Sequence, residues 1–133
     1  DYAAQRDFAT AASKAEPLLA DGNSPGARTA ARFIQAAAAL QSGDTAKATG
    51  LFKAIAADDD APPALRDLAR VREVTINYDQ MKPADVIARL SPLAQPGNAW
   101  FGSAGELVAM AHLEAGNRAA AGKLFADIAK DEN

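Results

Sequence analysis

Residues 40–56 return, in altered form, as residues 113–129, and this internal repeat restricts the chain more than any other feature. The shift from Gly43 to Gly116 is 73 residues, and Leu, Gly, Asp or Asn, two Ala, Leu-Phe and Ile-Ala all fall in register. Each copy has a direct physical reading. Glycine closes the last turn of a helix in the left-handed conformation, which costs it no Cβ clash. Asp44 or Asn117 then caps the next helix by accepting from amides its first turn leaves open. The second helix places Ala48, Leu51, Phe52 and Ile55 on one stripe, matched by Ala121, Leu124, Phe125 and Ile128. Two helical hairpins are predicted, with Phe52 and Phe125 both buried.

The interval holds a further pair of helices. Pro62-Pro63 opens one, where the missing amide hydrogen is no loss, and it carries Leu65, Leu68, Val71, Val74, Ile76 and Tyr78. Pro83 opens its partner, with Val86, Ile87, Leu90 and Leu93 on the buried stripe. In front, residues 2–20 read as a helix kinked at Pro17 and ending in the turn that runs from Asp21 to Gly26. Seven helices are expected, at roughly 2–20, 27–42, 45–57, 63–78, 83–94, 100–115 and 118–130. They form one all-α domain over residues 1–133, with hairpins at about 27–57, 63–94 and 100–130, built as a solenoid in which each hairpin buries its apolar face against its neighbours.

Composition agrees with helices and narrows function. Alanine supplies 35 of 133 residues while aromatics make up 6%. Alanine loses no side-chain entropy in a helix and lets helices approach closely. The net charge is -3, with no cluster of Lys and Arg, so the electrostatic footprint that nucleic acid requires is missing. No cysteine is present, which excludes disulfides, thiolate metal sites and thiol catalysis. Residues 90–105 are the longest uncharged stretch, and Pro92, Pro96, Gly97 and Asn98 interrupt it, so no membrane-spanning helix is expected. The sequence opens inside a helix, which reads as a fragment lacking a preceding segment. The last helix carries a broad apolar arc, which reads as a flank for more protein or for a second copy, paired there or around Phe8.

Candidate chemistry is sparse. His112 is the only histidine and cannot build a metal site or a triad alone, so it reads as a packed structural residue. Asp58-Asp59-Asp60 lies at a helix C-terminus and reads as a solvated loop rather than a cation site. Glu106 has no second carboxylate to make it a general acid. No catalytic, cofactor or metal residue is assigned, and the chain is expected not to be an enzyme. Trp100-Phe101 reads first as a hydrophobic staple and second as an aromatic anchor for a partner.

With Gly43-Asp44, Ala48, Phe52 and Ile55, repeated as Gly116-Asn117, Ala121, Phe125 and Ile128, the chain resembles the tetratricopeptide repeat family. The 73-residue shift is close to twice that family's period of roughly 34–36 residues. The family's first-helix Trp, Leu-Gly and Tyr are absent here. The resemblance implies a concave face lined by first helices: Phe33, Ala37 and Gln41, then Val71, Thr75 and Tyr78, then Glu106, Met110 and Glu114. An apolar helix or extended segment suits that face better than a charged tail.

Three segments, at residues 63–72, 89–100 and 102–107, are similar to alphaproteobacterial members of the YfgM-like family, ancillary subunits of the SecYEG translocon. This resemblance implies the periplasmic domain of an inner-membrane protein, attached by an N-terminal anchor outside this sequence. The implied partners are translocon subunits, periplasmic chaperones and unfolded clients. A structural module that pairs with itself as a homodimer is the alternative.

Overall fold

The structure is a computed structural model and describes residues 2–20 and 22–131. Every regular element among them is helical, and none is a strand. The helices are α1 (Tyr2–Ala15), α2 (Pro25–Gln41), α3 (Thr45–Ala57), α4 (Pro63–Asn77), α5 (Pro83–Leu90), α6 (Phe101–Glu114) and α7 (Arg118–Asp131). Three of them tighten into a short 3-10 turn at their C-terminal end: Glu16–Leu19 after α1, Tyr78–Gln80 after α4 and Ser91–Leu93 after α5.

Both predicted joints are present and have the same construction. Gly43 and Gly116 take φ values of 82° and 86°. In the first joint the Gly43 amide donates to the Leu40 carbonyl at 3.1 Å and the Asp44 amide to the Ala39 carbonyl at 2.8 Å. In the second, the Gly116 amide donates to Leu113 at 3.0 Å and the Asn117 amide to His112 at 2.8 Å. This pair of bonds is the Schellman closure of a helix end. The side chains of Asp44 and Asn117 then accept from the Lys47 and Ala120 amides, at 3.0 and 3.1 Å, and start α3 and α7.

Other boundaries depart from the sequence reading. The helix α2 begins at Pro25, not at residue 27, because Ser24 caps it (its Oγ accepts from the Ala27 amide at 3.1 Å) and Pro25 takes the first helical position. Asp21, the first residue of the expected turn, lies outside the described residues. Pro17 and Pro92 each fall in a 3-10 turn, so α1 stops at Ala15 and α5 at Leu90.

The chain divides into two compact units, one running to Ala69 and the other from Arg70, with the division inside α4. In the first, α2 packs on both α1 and α3. Its interior is largely alanine: Ala31, Ala36, Ala39 and Ala48 are buried beside Phe52 and Ile55. The buried Gln35 fastens α2 to α1, its amide donating to the Ala12 carbonyl at 3.2 Å and the Glu16 carboxylate at 2.6 Å. Arg32 reaches Asp58 at 2.9 Å and fixes the end of α3.

In the second unit α6 packs on both α5 and α7. Val71, Val74, Val86, Leu90, Leu93, Ala94, Ala104, Val108 and Ala111 form its core. Within it Glu73, almost wholly buried, accepts from Arg89 at 2.8 Å. The two hairpin helices pack tightly at Gly105, where an added Cβ would lie 2.9 Å from Cδ1 of Ile128.

One packing expectation fails. Phe52 is buried, at 3% exposure, but Phe125 is 40% exposed. The rings of Phe33 and Phe52 pack at 6.1 Å between centroids, tilted by 59°. Counted along the repeat, the residue standing in the place of Phe33 is Glu106. Phe125 therefore has no aromatic side chain at the position that covers its counterpart.

Candidate functional site

The acidic loop is occupied with its own structure. Asp58 accepts from the Asp60 amide at 3.0 Å as well as from Arg32. The Asp60 amide, above all, holds its carboxyl below the ordinary carboxylate range; desolvation opposes it, and the hydrogen bond and charge of Arg32 add to the lowering. Asp59 lies 3.9 Å from Arg66, at the edge of an ion pair, and is fully exposed. Among the described residues no three His, Cys, Asp or Glu side chains converge on a point that could hold a metal. His112 is half-buried, and its backbone carbonyl serves the second joint.

The residues expected on a binding face separate by burial. Val71 belongs to the core of the second unit, and Phe101 is 1% exposed, so neither can meet a partner. Val71 turns inward because α4 packs that side of itself against α5 and α6 residues of the same core. Phe101, the first residue of α6, is buried in the unit beside Gly105. Trp100 is half-buried and leans on the same core, its amide donating to the Asn98 side chain at 2.8 Å. In the first unit, Phe33 is half-buried against Phe52. Gln41, also half-buried, lines a groove of about 440 Å³ with Gln5, Ala12, Gln35 and Lys47.

The rest of the expected residues in the second unit keep some exposure. Thr75, Glu106, Met110 and Glu114 are exposed and Tyr78 is half-buried. Glu106, Met110 and Glu114 follow at four-residue spacing along α6, and Leu113 joins their stripe. Tyr78 crosses from the end of α4, its hydroxyl donating to the Glu114 carboxylate at 3.1 Å. Burial, and then the hydrogen bond and charge of Glu114, push the Tyr78 phenol up to about 12, with Asp79 adding to the effect. Met110 and Leu113 are 43% and 48% exposed.

The Gly105–Ile128 contact sets the register of this surface against α7. One turn back along α7 and one turn forward along α6 bring Phe125 level with Val108 and Ala109, between Glu106 and Met110. Three exposed apolar side chains thus stand on the α6–α7 hairpin, with Glu106 and Glu114 along the α6 stripe. Sequence reasoning placed Phe125 inside because its counterpart, Phe52, shares a repeat position with it. The exchange of Phe33 for Glu106 was the available signal. The groove holding Gln41 had none, since it depends on the spacing between α1 and α2.

No helix among the described residues is long and apolar enough to cross a membrane. Compared with known protein families, curated proteins and solved structures, the chain matches none.

Proposed function

We propose that this chain is a non-catalytic module that binds other polypeptides through the outer surface of its α6–α7 hairpin. The observation that carries the reading is the exposure of Met110, Leu113 and Phe125 on one hairpin. Interaction surfaces are marked by contiguous exposed apolar side chains, whereas singly scattered ones are ordinary. The tetratricopeptide-like solenoid belongs to the same proposal. Its support is the 73-residue repeat and two helix joints identical in their hydrogen bonds. The YfgM-like resemblance extends it to a periplasmic setting at the inner membrane, with translocon subunits, chaperones or unfolded clients as partners.

A second reading is self-association, favoured by exposed Phe8 on α1 together with exposed Phe125. A photo-crosslinking residue at Met110, with a control at the exposed Lys53, separates the two in the native host. The proposal expects adducts with other polypeptides from position 110 alone, inner-membrane components among them. Equal labelling from both positions refutes it. Adducts only between copies of the chain establish the second reading instead.

A further inference from the structure

We infer that the partner segment taken by the α6–α7 surface is a cationic amphipathic helix, whose apolar side chain covers Phe125 while a Lys or Arg beside it meets Glu106. The inference rests on the binding role proposed above and specifies its ligand. The internal repeat shows what is missing. In the first hairpin an aromatic ring at residue 33 covers Phe52; in the second, the same position carries a carboxylate and Phe125 stays 40% exposed. A segment completing the second hairpin must therefore supply both an apolar group for the ring and a cation for Glu106.

Charge along the surface points the same way. The helix α6 contains no Lys or Arg, and its two carboxylates, Glu106 and Glu114, are both exposed. Asp79, exposed and next to Tyr78 in the chain, adds to the negative charge acting on the Tyr78 phenol. Between Glu106 and Glu114 lie Met110 and Leu113. Eight residues of α6 extend about 12 Å, two helical turns, which matches the apolar face of a docked helix read at i, i+3 or i+4, and i+7. Carboxylates flanking an apolar strip favour a helix whose own apolar stripe is edged with cations, and reject one edged with acids.

The test uses the whole chain and a labelled, helix-forming synthetic peptide of about five turns, with Leu on one stripe and Lys at its edges. Fluorescence anisotropy should show saturable binding that weakens as salt is raised. A charge-reversed peptide, Glu for Lys, should bind at least about tenfold more weakly. Glu106→Lys should narrow or invert that preference, and Leu113→Ser should lose at least about tenfold in affinity for the Lys peptide. Both positions are exposed, and circular dichroism verifies that helicity is retained.

If the two peptides bind alike and Leu113→Ser weakens both, the docking surface stands and the cationic requirement is overturned. Binding indifferent to Leu113→Ser overturns the assignment of this surface. If neither peptide binds and light scattering finds a dimer that Leu113→Ser dissolves, the surface pairs with a second copy and the inference is wrong. No binding by a monomeric chain overturns both this inference and the reading beneath it.

Discussion

Replacing Gly105 by Ala sets helix propensity against packing, and the structure says which prevails. In a free helix interior, Ala is better than Gly by about 0.8–1.0 kcal/mol. At this position the new methyl would lie 2.9 Å from Cδ1 and 3.2 Å from Cγ1 of Ile128, and 3.5 Å from Cδ1 of Phe101. Carbon atoms prefer about 3.5–4.0 Å. The Phe101 contact is therefore ordinary, and both Ile128 contacts are too close. Cδ1 can turn away about its last torsion, but Cγ1 cannot, because a β-branched residue in a helix is held to one χ1 well. Ile128 is also buried, which leaves little room for retreat. Overpacking of this kind costs about 1–3 kcal/mol, so Gly105→Ala should be net destabilising by about 1 kcal/mol. Ile128→Val removes Cδ1 and alone should cost about 0.5–1.5 kcal/mol. In the Gly105→Ala background part of that cost is recovered, and urea unfolding of the four proteins should give a favourable coupling of about 1 kcal/mol. The reasoning fails if Gly105→Ala stabilises the protein, or if the two changes add to within about 0.5 kcal/mol.

Gly122 and Gly50 have open space where a Cβ would go, so Ala at either should raise stability by about 1 kcal/mol in the same melts. Gly43→Ala or Gly116→Ala should instead cost about 1–2 kcal/mol, because both glycines are left-handed. Phe52→Ala should cost about 3–5 kcal/mol, whereas Phe125→Ala should cost only about 1–2 kcal/mol. In a Tyr2→Phe background, ultraviolet titration should find the Tyr78 phenol ionising near 12. Because the folded value is raised, its contribution to stability is complete below the ordinary phenol range, near 10, and is lost as pH rises through 12. Asp58 has the opposite sign: its depressed folded value contributes stability above the ordinary carboxylate range, lost as pH falls through that folded value. Asp58→Asn should flatten the acid limb of the stability curve.

Features determined by neighbouring residues were legible in the sequence. The left-handed glycines, the caps at Asp44 and Asn117 and the prolines at helix starts follow from backbone chemistry within a few residues. The start of α2 was equally local, since Ser24-Pro25 is a cap followed by a first-turn proline, yet Pro25-Gly26 reads as a turn when taken alone. Burial was less legible. Phe125 occupies the same place in its helix as Phe52, and only the neighbouring helix distinguishes them, through Glu106 in place of Phe33. Val71 was assigned to a surface by family register, but one turn of α4 offers that side to the core rather than to solvent. Of the expected surface, the pairing of Tyr78 with Glu114 joins residues 36 positions apart and needed coordinates to be seen.

At each joint a single residue belongs to two helices at once. The amide of Asn117 closes α6 while its side chain opens α7, and Asp44 does the same between α2 and α3. The turn therefore has no slack: adding one residue would detach the closing amide from the capping side chain and undo both helix ends. The loop between α5 and α6 carries no such double duty and can lengthen at the modest entropic cost of a longer loop. A stretch of coding sequence copied with one of these joints thus arrives with the reversal of its two helices already specified. It needs from its new neighbours only a surface to cover, and in the second hairpin here, where Glu106 stands at the aromatic's position, that covering is incomplete and Phe125 stays 40% exposed.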